Sequence, residues 1–410
     1  MKTIGERTLL VILAALMAFG PLSIDMYLPA FASIAADFAV PTARVELSLA
    51  SFFIGLATGQ LLHGWLSDRF GRRPVVLFGL AAYVLACIAC ALAPSVEFLV
   101  GARFVQASAA CAGIVVSRAV VRDRFESREA GRVFSMLMLV MGVAPILAPA
   151  IGSLVTSVAG WRAMFGLLAI LGLLAACAVY IKLPETRVPS LQKHAVLRVL
   201  ADRAFVRNAI AGGTAYAGMF AYITGAPFAF IERFGLSPQQ FALLFGANAV
   251  ALIASSQLNR RLLLRWDMQR ILRWAFPALA FTGTLLALSA YLGAGFWFIV
   301  VPLWFYVGIL GMTYPNTTAV AMQAHAANAG AASAWLGTIQ FTVAACAAAL
   351  VSKLHDGSAF AMAGVVGTCA VASCAIFYSE RKIRSVARLS NSQTGARQLQ
   401  VRGEHHVERG

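Results

Sequence analysis

Long apolar runs alternate with short polar segments along the chain, and run length decides the secondary structure. Stretches of about 20 residues with few or no charges match the length a helix needs to cross a bilayer. The charges set the limits. The predicted spans are Thr8–Leu28, Leu47–Leu66, Val75–Ala93, Phe98–Val121, Val133–Ser157 and Ala163–Ile181, followed by Asn208–Ile231 and Gln239–Leu258. Asp37, Arg44 and Glu46 are assigned to a linker between the first two spans. Residues 274–352 carry no charged side chain apart from His325, and at roughly 20 residues per crossing they hold three helices. Gly293–Gly295 and Gln323–Gly330 are the expected turns in that stretch. A last span, Ser358–Ser379, makes twelve. The fold class is therefore an all-α membrane protein in two six-helix halves, 1–181 and 208–379. A cytoplasmic linker, 182–207, joins the halves, and a basic tail, 380–410, is expected to be disordered.

Composition agrees with this reading. Sixty per cent of residues are hydrophobic, 12% are charged, and the mean hydropathy is +0.78. A net charge of +16 would suggest nucleic acid in a soluble protein. Here the distribution excludes that partner, because the basic residues cluster in short loops between apolar runs. If successive loops alternate faces, all but five of the 33 Lys and Arg lie on one side. The exceptions are Arg44, Arg162, Arg233 and Lys353 on the other side and Arg103 within a span. The positive-inside rule then places both termini in the cytoplasm. All seven cysteines fall in apolar runs and read as small hydrophobes, the Cys87/Cys90 pair included. The first span follows Lys2 and Arg7 like a secretory signal, but it is too long and too many spans follow, so it reads as a retained anchor.

Against this background the stretch Leu22–Phe31, LSIDMYLPAF, stands out. Asp25 places a carboxylate where the pattern should still be apolar, and charge in hydrocarbon is expensive. It is either a protonatable group or a wet helix end that stops the span before Pro29. Arg103 raises the same question in the fourth span. A guanidinium keeps its proton, so it needs an anion, carbonyls or water, unless it only snorkels to the surface. Counting residues from the outer ends puts Asp25 and Arg103 within roughly 5–8 Å of the same interface. They are taken together as a proton-coupling pair.

The loop Gly64–Pro74 reads G-x-L-x-D-R-x-G-R-R-P, and Arg103–Ala107 reads R-x-x-Q-A. Both resemble signatures of the major facilitator superfamily. The resemblance implies a cytoplasmic latch made by Asp68, Arg72 and Asp123. The fifth span carries Gly142, Pro145, Pro149 and Gly152, which bend it and allow close approach. Its pattern loosely resembles the helix-5 motif of drug/proton antiporters: Pro145 matches, while Val140 and Ala144 replace two glycines. More narrowly, SIDMYLPAF at Ser23–Phe31, RAVVRD at Arg118–Asp123, GAPFAFIE at Gly225–Glu232 and YPN at Tyr314–Asn316 are similar to the Bcr/CflA family of drug-resistance antiporters. That family implies proton-driven export through a central cavity between six-helix halves. Some relatives carry a second acid about two turns before the Asp25 position, where this chain has Met17 and Ala18. Asp25 is thus expected to be the only carboxylate well inside a helix.

Aromatic and amide residues of the cavity would suit loosely held amphiphiles. The candidates are Met26, Tyr27, Tyr216, Tyr222, Phe228, Asn248, Tyr314, Asn316, Trp335 and Gln340, each of which could equally be a packing residue. The reading is a proton-coupled exporter of small drug-like compounds in the bacterial cytoplasmic (inner) membrane. It needs no cofactor beyond the proton, and its partners are substrate, protons and the lipid bilayer, with a monomer expected. The rivals are a proton-coupled importer or metabolite exporter on the same fold and, less well supported, a receptor. His63 and His325 look isolated, and no enzyme-like constellation is visible.

Overall fold

The computed structural model describes residues 5–125, 127–186, 199–323, 325, 329–354 and 358–379, so the 380–410 tail and residues 187–198 of the linker lie outside the described residues. Helices α2 (Thr42–Phe70), α3 (Arg72–Ala91) and α4 (Val96–Arg124) follow a first span, α1 (Glu6–Asp37). A helical run, Ser127–Lys182, is broken by Gly160 (φ 80°, ψ 166°) into α5, 127–159, and α6, 161–182. After the linker come α7 (Arg203–Arg233), α8 (Pro238–Leu262), α9 (Met268–Tyr291), α10 (Phe296–Met322), α11 (Ala329–Lys353) and α12 (Phe360–Ser379). The turn at Gly293–Gly295 falls where the sequence places it, with Gly293 in the left-handed region (φ 65°).

Two boundaries differ from expectation, and both matter. The first span is not one helix to Leu28. It is α-helical from Glu6 to Asp25, tightens to a 3-10 turn over Leu28–Ala30 and resumes at Phe31–Asp37. Pro29 has no N–H to continue an α ladder, which explains the change of winding. Asp25 is thus the last residue of the α segment. The second helix begins at Thr42 rather than Leu47, so Glu46 is not in a linker: it lies inside α2 with no exposed surface. Hydropathy ends a span at a charge, whereas the backbone continues because no helix breaker intervenes.

Small residues let the helices meet. Gly55 and Gly59 of α2 pack onto the α4 backbone, Gly79 of α3 onto Ala112, and Gly113 of α4 onto the Leu16 carbonyl. Helix α2 lies between α4 and α11, α5–α6 also contact α8, and α7 packs on α10 and α11. Contacts therefore join the first six helices to the last six. One continuous apolar cluster spans both sets. A small separate cluster (Val199, Phe205, Ala209, Ala321, Ala332, Leu336) closes one end of the last six. Large apolar side chains such as Phe78, Leu85, Trp297 and Phe305 are exposed on the outside, as a lipid-facing surface requires.

A methyl at Gly59 would fall 2.7 Å from Cys111 Cβ and 2.9 Å from the Ser108 carbonyl oxygen. Gly59→Ala should destabilise the purified protein by about 1–3 kcal/mol through overpacking, read as a lower unfolding temperature in detergent.

Candidate functional site

At one end of the molecule, the loop between α2 and α3 makes a cluster of charges. Arg72 Nη1 donates to Asp68 Oδ1 (2.6 Å) and Ser67 Oγ (2.7 Å), and its Nε donates to Asp123 Oδ2 (2.9 Å) at the end of α4. The Arg72 and Asp123 side chains are 3% and 6% exposed, against 64% for Asp68. The Arg72–Asp123 pair is therefore the energetically weighty one. The sequence reading missed Glu185. Its carboxylate, just beyond α6, accepts from the backbone N–H groups of Arg72 (2.9 Å) and Arg73 (3.1 Å). These are orphan donors of the α3 N-terminus, which has no side-chain cap of its own. Gly71 sits at φ 103°, and a side chain there would collide with Glu185. An acid following the end of α6 was the available signal. Ser67, an ordinary helix residue by sequence, completes the set.

The opposite end is held differently. Asp37 pairs with Arg162 and accepts from Trp161 Nε1 (3.2 Å), and Arg162 lies over the Trp161 ring at 4.2 Å. Thr42 Oγ1, at the start of α2, donates to Glu232 Oε1 of α7 (2.5 Å).

Between these ends lies the buried polar centre. Arg103 has no exposed surface, and its guanidinium stands over Phe52 (4.2 Å), Tyr27 (4.5 Å) and Phe165 (5.9 Å). Negative ring faces replace part of the lost hydration. Nη1 donates to Gln106 Oε1 (2.6 Å), and Gln106 Nε2 in turn donates to Cys87 Sγ (3.0 Å). Cys87 is therefore a hydrogen-bond acceptor and not just a small hydrophobe. Nε and Nη2 of Arg103 are buried without a partner among the described residues. The structure does not join Arg103 to Asp25 as an ion pair.

Asp25 is 3% exposed, and its carboxylate lies within electrostatic range of the Tyr216 and Tyr222 hydroxyls of α7. Its flanks are fixed: Ser23 shares a 2.7 Å hydrogen bond with Tyr83, and Tyr27 a 2.8 Å one with Ser48. Gly152 of α5 presses on the backbone at Met26, where an added Cβ would come within 2.7 Å of the carbonyl carbon. Pro149 is buried nearby in the same helix, while side chains at 134–146, hence Gly142 and Pro145, lie outside the described residues.

The wall opposite Asp25 holds several cavity candidates. Tyr216 stacks on Tyr314 (4.4 Å), whose hydroxyl reaches Gln340 Oε1 (3.4 Å). Tyr222 accepts from Asn248 Nδ2 (2.9 Å) and stacks on Phe245. Other candidates lie elsewhere. Asn316 pairs with Asn259 of α8 (2.7 Å), Trp335 packs on the small end cluster, and Phe228 belongs to the π-helical segment Pro227–Arg233. His325 is not isolated, since its Nε2 is 3.0 Å from Asp202 Oδ2. Burial pushes the Asp202 carboxyl up, but the Ala204 and Phe205 amides and His325 outweigh it and hold the group below its ordinary value. The second carboxylate buried in a helix is Glu46, against the expectation that Asp25 would be alone.

The matching family model is that of the Major Facilitator Superfamily, over residues 11–349, and the chain belongs to that superfamily. It is an integral membrane protein of a transporter family. Among its relatives, the "uncharacterized MFS-type transporter YdgK" of Bacillus subtilis is 36% identical over 92% of this chain and 97% of its own length. The "bicyclomycin resistance protein homolog" of Haemophilus influenzae is 32% identical over 91% and 96%. A "chloramphenicol resistance protein" of Pseudomonas aeruginosa is 34% identical over 65% of each chain. Among solved structures, the xylose transporter XylE from E. coli, in a partially occluded inward-open conformation, superposes with a TM-score of 0.72. It covers 91% of this chain and 97% of XylE at 14% identity, a likeness that speaks to the fold alone.

Asp123→Asn removes the buried countercharge of Arg72. Loss of one partner of a buried pair typically costs about 3–5 kcal/mol, so uptake or efflux by this variant should fall at least tenfold in vesicles while Asp68→Asn, at the exposed position, loses less.

Proposed function

We propose that this chain is a proton-driven exporter of small amphiphilic compounds, antibiotics among them, in the bacterial inner membrane. The observation that carries the reading is Asp25: a buried carboxylate at the end of a helical segment of the first six helices, within electrostatic range of Tyr216 and Tyr222 in the last six. Relatives bearing the names of antibiotic-resistance proteins support the substrate class. The distribution of Lys and Arg supports a cytoplasmic latch end, with both termini on that side.

The first and last six helices act as the two halves that rock around the centre. With the cytoplasmic side open, deprotonated Asp25 and the aromatic wall receive the substrate. Stacking and apolar contact supply affinity for flat amphiphiles, and the few polar groups (Asn248, Gln340) orient them. Rocking closes the cytoplasmic side, where the Asp68–Arg72–Asp123 latch forms, and opens the other side. A proton from outside neutralises Asp25 and displaces the substrate. The protonated acid then crosses back at lower desolvation cost than the anion. On return the latch releases, the cytoplasmic side opens and the proton leaves to the cytoplasm. Arg103 is the fixed cation of this cycle: its ring-stacked guanidinium favours the anionic form of any acid that approaches. Gly152 lets α5 bear directly on the turn at Met26, so bending of α5 moves the residue next to Asp25. The partners are protons, drug-like molecules and lipid. The chain works as a monomer, without cofactor or nucleic acid, and carries out transport rather than an enzymatic reaction.

In everted vesicles, Asp25→Asn should retain substrate binding within about threefold but lose at least tenfold in substrate-evoked proton movement, since an amide carries no proton. Full drug resistance together with normal proton movement in that variant would sink the mechanism.

A further inference from the structure

The Arg72 cluster secures one end of the molecule, and the geometry points to a matching lock at the other. We propose that Thr42 and Glu232 form a state-dependent outer lock, closed while that side is sealed and broken each time it opens. The bond joins the two sets of helices directly: Thr42 Oγ1 of α2 donates to Glu232 Oε1 of α7 at 2.5 Å. Helix α2 runs for 29 residues, and its N-cap residue, Pro41, supplies no side-chain cap. The carboxylate that hydrogen-bonds its first turn therefore comes from the other set of helices. An anion at that position also complements the positive end of the helix dipole.

Glu232 is carried on an unusual support. It lies in the π-helical turn Pro227–Arg233 that ends α7, a winding found mostly as single turns at functional sites. Below the lock, the same face of α2 carries Glu46, Ala50 and Phe53, at successive steps of four, four and three residues beginning from Thr42. Glu46 has no exposed surface, and Phe53 meets Phe220 of α7 at 4.5 Å. The lock thus sits at the mouth of the seam between the two sets, with a buried acid one turn beneath it. Parting the seam at this end must break the Thr42–Glu232 bond and wet Glu46. Further along, the seam is bridged separately, by Thr338 Oγ1 to the Ala57 carbonyl (3.4 Å) near the middle of α2 and by Arg118 Nη1 to Ser333 Oγ (3.3 Å) towards the other end. The outer lock can therefore open while the inner bridges hold.

The lock rests on alternating access but not on the identity of the cargo or on the direction of transport. The test introduces a reporter, Ala50→Cys, two turns below the lock on the α2 face and 4% exposed. Its rate of labelling by a membrane-impermeant maleimide is measured in right-side-out and everted vesicles, with the parent chain and its seven cysteines as background. Glu232→Gln and Thr42→Val should each speed labelling from the outer face by roughly three- to tenfold, the scale of one partly exposed charge-assisted hydrogen bond. Combining them should add little further, because both remove one bond. Thr42→Ser should restore the parent rate, and Arg233→Gln should leave it unchanged, which separates the lock from general loosening or misfolding. Unchanged labelling on both faces, or fully multiplicative effects of the two substitutions, would overturn the lock. An increase confined to everted vesicles would keep the lock and overturn the sidedness given above. Loss of drug-evoked proton movement plays no part in the readout, so failure of the export reading would be seen separately.

Discussion

A permanent charge in the middle of a low-dielectric bundle needs a substitute for water, and Arg103 obtains it from three ring faces and one glutamine. Much around it follows from that need. Tyr27, Phe52 and Phe165 come from α1, α2 and α6, so three helices are drawn to one cation. Gln106 is in turn held by Cys87, and Tyr83 on the same helix holds Ser23 beside Asp25. Asp25, the proposed proton site, is thereby tied to helices that meet at the arginine. A neutral residue at 103 would remove the reason for this convergence, not only one charge.

Three of the buried ionic positions, Arg72, Arg103 and Asp25, are solved in three ways. Arg72 is answered by a carboxylate, a hydroxyl and a second, exposed carboxylate within one short loop and the end of α4. Arg103 is answered by polarisable rings and keeps two N–H-bearing nitrogens in reserve. Asp25 is answered mainly by its capacity to be neutral. A buried ion pair that is complete favours one geometry strongly. A cation with incomplete satisfaction and an acid that can lose its charge favour several.

The number of helices was legible because bilayer thickness imposes one length on every span. The Arg72 cluster was legible because its residues are local in sequence and their spacing is demanding. What was not legible depends on contacts between distant segments. Nothing about Glu185 identifies it as the cap of α3 until α6 is placed beside that helix. Glu46 was misassigned because hydropathy treats a charge as an end, although an acid can continue a helix and be buried by neighbours. Counting residues gave Asp25 and Arg103 a similar depth, but equal depth does not make a contact, and the rings of Tyr27 and Phe52 take the place that an ion pair would have filled. Asn316 and Trp335 belonged to an aromatic and amide set by type alone, and only packing separates them from Tyr216, Tyr314 and Gln340.

The contact between Gly152 and the Met26 carbonyl has a consequence for how such a protein diversifies. Neither partner offers a side chain that could be exchanged for another: one is a hydrogen, the other a main-chain oxygen. Variation under selection by new toxic compounds has no purchase there. On the proposed reading it can act on the α7, α8, α10 and α11 rings and amides across the seam, where a changed side chain would alter which molecules fit. Drug profile and energy conversion would then be inherited on different helices, and one could drift while the other stands still.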